Sequence, residues 1–238
     1  MEECIGEGET MKIVAEFSGG ADSAAAVILA KKNYPDAKIY GIFVDYEQKY
    51  AYQECIYAID LANKLNIGLK TIKAYNLFTE TKKIKAISNV YTPLRNMLLL
   101  SIAASYAESI GAEMILTGSK GLVKIEGDPY SYYDSTVPFY KMMESVINYC
   151  KEVKVPPIIV NPILTANRTE KMSKKEVYKL LLENGIGKED TWSCFTPDTR
   201  NILIECGHCH NCEIKKKIFE ELEHERSNNR KSSKSPRE

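Results

Sequence analysis

Two stretches of this sequence hold residue types that can do chemistry at short range. The first is Ser18, Gly19, Gly20, Ala21, Asp22 and Ser23, placed between an apolar run, Lys12 to Phe17, and an alanine-rich stretch, Ala24 to Lys32. Adjacent glycines let a backbone approach an anion without a Cβ, amides at the start of a following helix favour that anion, and the two serines add hydroxyl donors. Such a turn is a nest for phosphate. A tight strand-to-helix turn that uses glycine for geometry and serine as a helix cap has the same composition. The second stretch holds Cys194, Cys206, Cys209 and Cys212, with eleven residues in the first gap and two in each of the others. Four thiolates suit a tetrahedral zinc ion and two-residue gaps let successive sulfurs turn around it, although iron–sulfur clusters use similar spacings. His208 and His210 fall inside the cluster, but four cysteines complete the ion's shell, so both are expected outside it.

These groups need a scaffold, and the hydrophobic pattern supplies one. KIVAEF at Lys12 to Phe17 and KIYGIFVD at Lys38 to Asp45 read as strands, followed by helices over Ala24 to Lys32 and about Ala51 to Leu65. A shorter strand at about Leu69 to Lys73 precedes an irregular segment; Thr92 and Pro93 then suit the cap and first turn of an apolar helix ending at Ile110. Glu113 to Thr117 is a fourth strand, and Pro157 to Val160 a further short apolar stretch. Helices are expected from about Val137 to Lys151, Ser173 to Glu183, and beyond the cysteines to about Arg226. The alternation predicts an α/β fold, a parallel doubly wound sheet of about five strands with ligands beyond the carboxyl ends of the strands. Residues 1–10 read as a flexible leader, 11–190 as the α/β domain, 191–226 as a metal-binding segment, and 227–238, without apolar residues, as a disordered tail.

Composition excludes several classes. Lys plus Arg and Asp plus Glu balance at 32 each among 238 residues, so no excess of positive charge is available for general nucleic-acid binding. No apolar run reaches the roughly 20 residues of a membrane span, and the acidic start does not resemble a secretory signal. A soluble, cytoplasmic protein is expected. No GxxxxGK[ST] string occurs, and no GxGxxG follows the first strand, which argues against a P-loop ATPase and a dinucleotide enzyme.

The string SGGADS resembles the SGGxDS signature of the PP-loop ATP pyrophosphatases. Membership implies an adenine nucleotide alpha hydrolase-like fold that holds the β- and γ-phosphates of Mg2+-ATP at Ser18 to Ser23 and releases pyrophosphate after adenylating a substrate. Further strings occur in the order found in one branch, the QueC family of 7-cyano-7-deazaguanine synthases. DYEQ at Asp45, Tyr46, Glu47 and Gln48 resembles its DYGQ, with Glu47 in the glycine's place. YTPLRN resembles its VPxRN and would put Arg95 and Asn96 in the first turn of a helix, aimed at the ligand edge. NPIL followed by Lys174 and Lys175 resembles its P-L and K-x-x-I pattern, offering a mobile cation for the triphosphate. TWSC and CGHCHNC resemble the strings whose cysteines hold a structural Zn2+.

The resemblance covers about Lys12 to Glu220 and departs most in the central loop. Gly118, Tyr133, Asp134, Pro138 and Phe139 match, while Lys120 stands near an expected asparagine, and Ser135 and Thr136 replace a cysteine and an arginine. If that arginine meets a substrate carboxylate in the family, another cation such as Lys120 must do so here, or the molecule differs. The family's activity implies conversion of 7-carboxy-7-deazaguanine and ammonia to 7-cyano-7-deazaguanine through adenylated intermediates, with Asp22, Arg95 and Lys174 or Lys175 balancing charge. Asp45 would join the phosphate loop at the nucleotide; Tyr46, Gln48, Asn96 and Asp134 would orient the deazapurine. A homodimer is also in keeping with the family. The rival functions are adenylation of another acceptor, a tRNA base or a protein amine, and a non-catalytic nucleotide-binding module.

Overall fold

The computed structural model describes residues 10–75, 94–119, 133–152, 154, 157–161, 172–197 and 201–232. The leader up to residue 9, the Thr92–Pro93 start, Lys120 and the tail after Ser232 lie outside these residues. Five parallel strands form one sheet in the order β3-β2-β1-β4-β5: β1 (Lys12–Glu16), β2 (Lys38–Asp45), β3 (Gly68–Lys73), β4 (Met114–Leu116) and β5 (Ile159–Asn161). The chain leaves β1 in one direction to build β2 and β3, then crosses back to add β4 and β5. That reversal makes the crevice above β1 and β4 the place where a ligand fits.

Both faces are covered, which is why β1 reads as a continuous apolar run rather than an alternating one. Ile13 and Ala15 face α1 (Ala21–Asn33), α2 (Ala51–Lys64), α5 (Lys174–Glu183) and α6 (His210–Ser232), where Val27, Leu61, Leu181 and Phe219 are buried. Val14 faces the other way, toward Leu100 and Ala103 of α3 (Arg95–Ile110) and Met143 and Ile147 of α4 (Val137–Cys150). Among the described residues no helix is long and apolar enough to cross a membrane.

Several boundaries differ from the sequence expectation: α3 begins at Arg95 with Leu94, at φ +54°, as its N-cap, rather than with Thr92 as cap and Pro93 in the first turn. Helix α1 begins at Ala21, not Ala24, so half of the glycine-serine string is its first turn. The last helix continues to Ser232, beyond the expected end at Arg226 and into residues read as a disordered tail. Extending a helix by a residue costs far less than starting one, so a helix anchored by Phe219 and Leu222 carries polar residues along with it.

Candidate active site

Gly20 is the N-cap of α1 and, having no side chain, leaves the amides of the first turn without a side-chain cap. The serines close the loop from behind instead: the Ser18 amide donates to Ser23 Oγ at 3.3 Å, and Ser23 Oγ donates to the Gly20 carbonyl at 3.0 Å. Thus serine does not cap the helix here, and Ser18, Asp22 and Ser23 line the cavity at the end of β1. Gly19 sits at φ +74°, and a Cβ on it would come within 2.6 Å of the Glu54 carbonyl oxygen and 2.8 Å of the Ala58 nitrogen. Gly118, after β4, lies so close to the loop that a Cβ would meet the Ser23 nitrogen at 2.8 Å. The loop is clamped on two sides by backbone.

A cavity of about 410 Å³ opens above β1 and β4, and Ser18, Asp22, Ser23, Tyr46, Gln48, Arg95 and Asn96 all reach its wall. Arg95 and Asn96 are the first two residues of α3, as the sequence implied. Asn96 Nδ2 donates to the Asp134 carbonyl at 3.2 Å and to Ser135 Oγ at 3.3 Å, tying the helix start to the central loop. Gln48 holds the β2 turn in shape by accepting from the Tyr46 amide at 3.0 Å and donating to Glu54 Oε2 at 3.0 Å. Glu47, in the place of the family's glycine, adopts φ +62° and carries the backbone strain a glycine would avoid. Burial raises the Tyr46 hydroxyl and the Glu54 carboxyl above their ordinary values, with the Arg95 guanidinium opposing both shifts.

Two of the sequence-predicted residues stand away from this wall. Asp45 accepts from the Glu47 amide at 3.0 Å and from the Tyr75 hydroxyl at 3.3 Å, so its carboxylate organises the turn. Asp134 lies in the single turn Tyr133–Ser135 and meets Asn96 through its backbone oxygen. Thr136, where the family has an arginine, is the N-cap of α4, accepting from the Phe139 amide. Ser135 does reach the cavity.

A second cavity, about 250 Å³, lies on the other side of the same loop and shares Ser18, Asp22, Ser23 and Glu54 with the first. Ala21 and Lys174 line it, together with Trp192 and Cys194. Lys174 Nζ reaches Asp22 Oδ2 at 2.5 Å. Lys175 points the other way, to Glu221 and Glu225 of α6, each at 2.9 Å. Helical geometry turns adjacent residues by about 100°, so only one of the two lysines can face the loop.

The four cysteines converge, with every sulfur within 4.8 Å of the others. Tetrahedral zinc with bonds of about 2.3 Å requires sulfurs roughly 3.8 Å apart, and the pairs Cys206–Cys212 and Cys194–Cys209 stand at 4.0 Å, Cys209–Cys212 at 3.4 Å. Backbone amides of Thr196 and Cys206 point at Cys194 Sγ, and that of Cys209 at Cys206 Sγ, each at 3.3 Å, which suits thiolate acceptors. The donor set fits a closed Cys4 metal site. His208 stays outside it, its Nδ1 facing the Cys206 carbonyl at 2.8 Å.

Packing joins this cluster to the Ser18–Ser23 loop. The Trp192 amide donates to the Gly19 carbonyl at 3.0 Å, and its ring packs against Tyr57 at 5.3 Å between centroids. Beneath lies Lys215, 1% exposed, whose Nζ donates to the Thr191 carbonyl at 2.6 Å and to Glu205 Oε2 at 2.9 Å. The other oxygen of Glu205 accepts from the Ser193 amide and hydroxyl. Lys215→Ala leaves that carboxylate buried without its cation, so a loss of about 3–5 kcal/mol is expected in denaturant unfolding. A loss below about 1 kcal/mol would mean that the pair contributes nothing.

Sequence reasoning missed Glu16, Glu54, Thr117, Trp192 and Lys215. Glu16 was readable as a carboxylate in an otherwise apolar strand; Lys215 carries no signal among the many lysines of its helix.

The family described as "Queuosine biosynthesis protein QueC" matches residues 12–223. The 7-cyano-7-deazaguanine synthase of Campylobacter hominis is 30% identical over 231 residues, covering 88% of this chain and 94% of its own. That of Nitratiruptor sp. is 30% identical over 224 residues, with 88% and 94% covered. Among solved structures, a 4-thiouridine synthetase–RNA complex with bound ATP superposes with a TM-score of 0.51 at 16% identity, over 88% of this chain and 50% of that one. The last likeness is one of fold.

Proposed function

This chain belongs to the QueC family, and on that premise we propose that it converts 7-carboxy-7-deazaguanine and ammonia to 7-cyano-7-deazaguanine at the expense of ATP. The observation that carries the reading is the convergence of the Ser18–Ser23 loop, Arg95 and Asn96 on one cavity at the sheet's reversal point. A carboxylate is a poor electrophile, and transfer of AMP to it supplies a leaving group. Ammonia then gives the amide, and adenylation of the amide oxygen allows loss of AMP to the nitrile. Both activations can use one site.

The larger cavity suits the reacting carboxylate and nucleoside, and the smaller one the pyrophosphate half of ATP. Amides of the first turn of α1, with the Ser18 and Ser23 hydroxyls, would hold phosphate oxygens between the two. Arg95 would neutralise charge on the larger side and Lys174 on the smaller, while Tyr46, Gln48 and Asn96 orient the deazapurine. This is catalysis by positioning and charge stabilisation. Mg2+, with Asp22 at hand, would screen the triphosphate. The Cys4 set would hold Zn2+, whose closed shell folds residues 191–226 against the 11–190 domain rather than activating water. We further assign the protein to the cytoplasm; a homodimer is in keeping with the family.

Purified protein given Mg-ATP, ammonium and the carboxylate should yield AMP and the nitrile; failure to form either sinks the assignment. The lysines provide a sharper test. Lys174→Met should lower kcat/KM for ATP about 10²-fold, in line with loss of a charge-stabilising donor, whereas Lys175→Met should stay within about twofold, because Lys175 serves α6. Equal effects would refute the division of roles.

A further inference from the structure

Two described carboxyls of the larger cavity, Glu16 and Glu54, have no place in the Ser18–Ser23 loop or in any of the strings above, and Glu54 is held by Gln48. Glu16 ends β1, the central strand, two residues before Ser18, and its side chain lies on the α3 side of the sheet at the cavity wall. Arg95 faces it from α3, Tyr140 from α4, and the Thr117 hydroxyl from the end of β4. Among the described residues, Asp22 of α1, Glu54 of α2 and Tyr46 after β2 are the other titratable groups on the same wall.

The reaction proposed above has a proton problem. Ammonium must lose four protons to become the nitrogen of a nitrile, and the first must leave before nitrogen has a lone pair to attack with. A base is therefore needed next to the reacting carbon. The three histidines, at 208, 210 and 224, are exposed residues of the C-terminal segment and not of the cavity. Asp22 is paired with Lys174, Glu54 is held by Gln48, and the Asp45 carboxylate belongs to the β2 turn. Tyr46 and Tyr140 are both held in the neutral form by burial, Tyr140 being pushed up to about 12.

We propose that Glu16 is the proton acceptor for the nitrogen chemistry, a catalytic residue distinct from those that bind ATP. The proposal rests on the synthase reading. In the first round ammonium gives a proton to the Glu16 carboxylate. The freed lone pair forms the C–N bond at the adenylated carbonyl, the new C–N nitrogen gives a second proton to the carboxylate, and the C–O bond to AMP breaks with its electron pair leaving on the phosphate. In the second round the amide oxygen attacks the α-phosphorus of ATP and pyrophosphate departs. Removal of N–H protons by the carboxylate then drives formation of C≡N as the second AMP leaves. No electrons are gained or lost overall, and the carboxyl returns each proton to solvent. Burial, opposed by the Thr117 hydroxyl and the Arg95 guanidinium, raises the Glu16 carboxyl to about 7, where a base is both available at neutral pH and strong enough to act.

The test is Glu16→Gln in the full-length protein, which keeps the shape and removes the base. Carboxylate-dependent exchange of labelled pyrophosphate into ATP should stay within about threefold of wild type. Nitrile formation from ammonium should fall by about 10²–10³, within the range for general-base loss. In the wild type, kcat measured at saturating ammonium should rise with pH through a pKa near 7, and that limb should vanish in the variant. The proposal is overturned if exchange and nitrile formation fall together, which would put Glu16 in nucleotide or substrate binding, or if the variant makes nitrile at the normal rate. Should the variant fail to fold, a wild-type profile flat from pH 6 to 8 overturns it equally. A wild type without carboxylate-dependent exchange would instead refute the substrate assignment, and the role of Glu16 with it.

Discussion

Gly19→Ala is expected to abolish ATP–pyrophosphate exchange, lowering it at least 10²-fold, while leaving the α/β sheet folded. A left-handed backbone costs an L-residue about 1–2 kcal/mol, and here the added methyl also meets the Glu54 carbonyl at 2.6 Å and the Ala58 nitrogen at 2.8 Å. Both are backbone atoms of α2, so no side chain can swing aside. The loop must move instead, and a displacement near 1 Å at a positioning element costs about 10²-fold in rate. Gly185→Ala is the matched control: its φ of +77° is similar, but nothing lies within 4 Å of its Cβ. It should cost about 1 kcal/mol in stability through the backbone alone and leave exchange unchanged. If Gly19→Ala retains exchange within twofold, the Ser18–Ser23 turn is not the phosphate site.

Removal of the metal is expected to weaken ATP binding more than tenfold as well as destabilising the C-terminal segment. Structural zinc supplies apparent binding energies of about 10–16 kcal/mol in small peptides, far beyond what the few buried side chains around Trp192 can replace. Without it, residues 191–212 should lose hydrogen-exchange protection while β1, β2 and α1 keep theirs. The effect on ATP follows from one contact: the Trp192 amide holds the Gly19 carbonyl, so the segment braces the loop from behind. Chelation and Cys209→Ser should act alike, with ATP affinity read by calorimetry and metal content by elemental analysis, where one zinc per chain is expected. Metal-free protein that binds ATP with unchanged affinity would show the segment to be independent of the loop.

Much of this site was legible in the sequence because it depends on local chemistry. Gly19 and Gly20 are visible as residues with no Cβ, and Arg95 and Asn96 fall in the first turn of α3 because an apolar helix follows them. The cysteines read as a candidate metal-ligand set by spacing alone. Asp45 was ambiguous because a carboxylate at the end of a strand has two uses: it can face a ligand or tie its own turn, as its bond with the Glu47 amide does. Lys174 and Lys175 were indistinguishable for a similar reason. Only the seating of α5 between α1 and α6 decides which ammonium reaches Asp22 and which reaches Glu221.

By itself the sequence determined the alternation of strands and helices, the glycine-serine turn, the cysteine set and the family, since each is written in residues close together along the chain. The tertiary structure decided which strand pairs with which, that β1 and β4 flank the cavity, that Trp192 braces a loop 173 residues earlier in the chain, and that Glu16 is held among Arg95, Thr117 and Tyr140. These are long-range pairings, and burial is what sets them: the environment that raises a carboxyl or buries Lys215 is assembled from segments that meet only when the sheet closes under its helices.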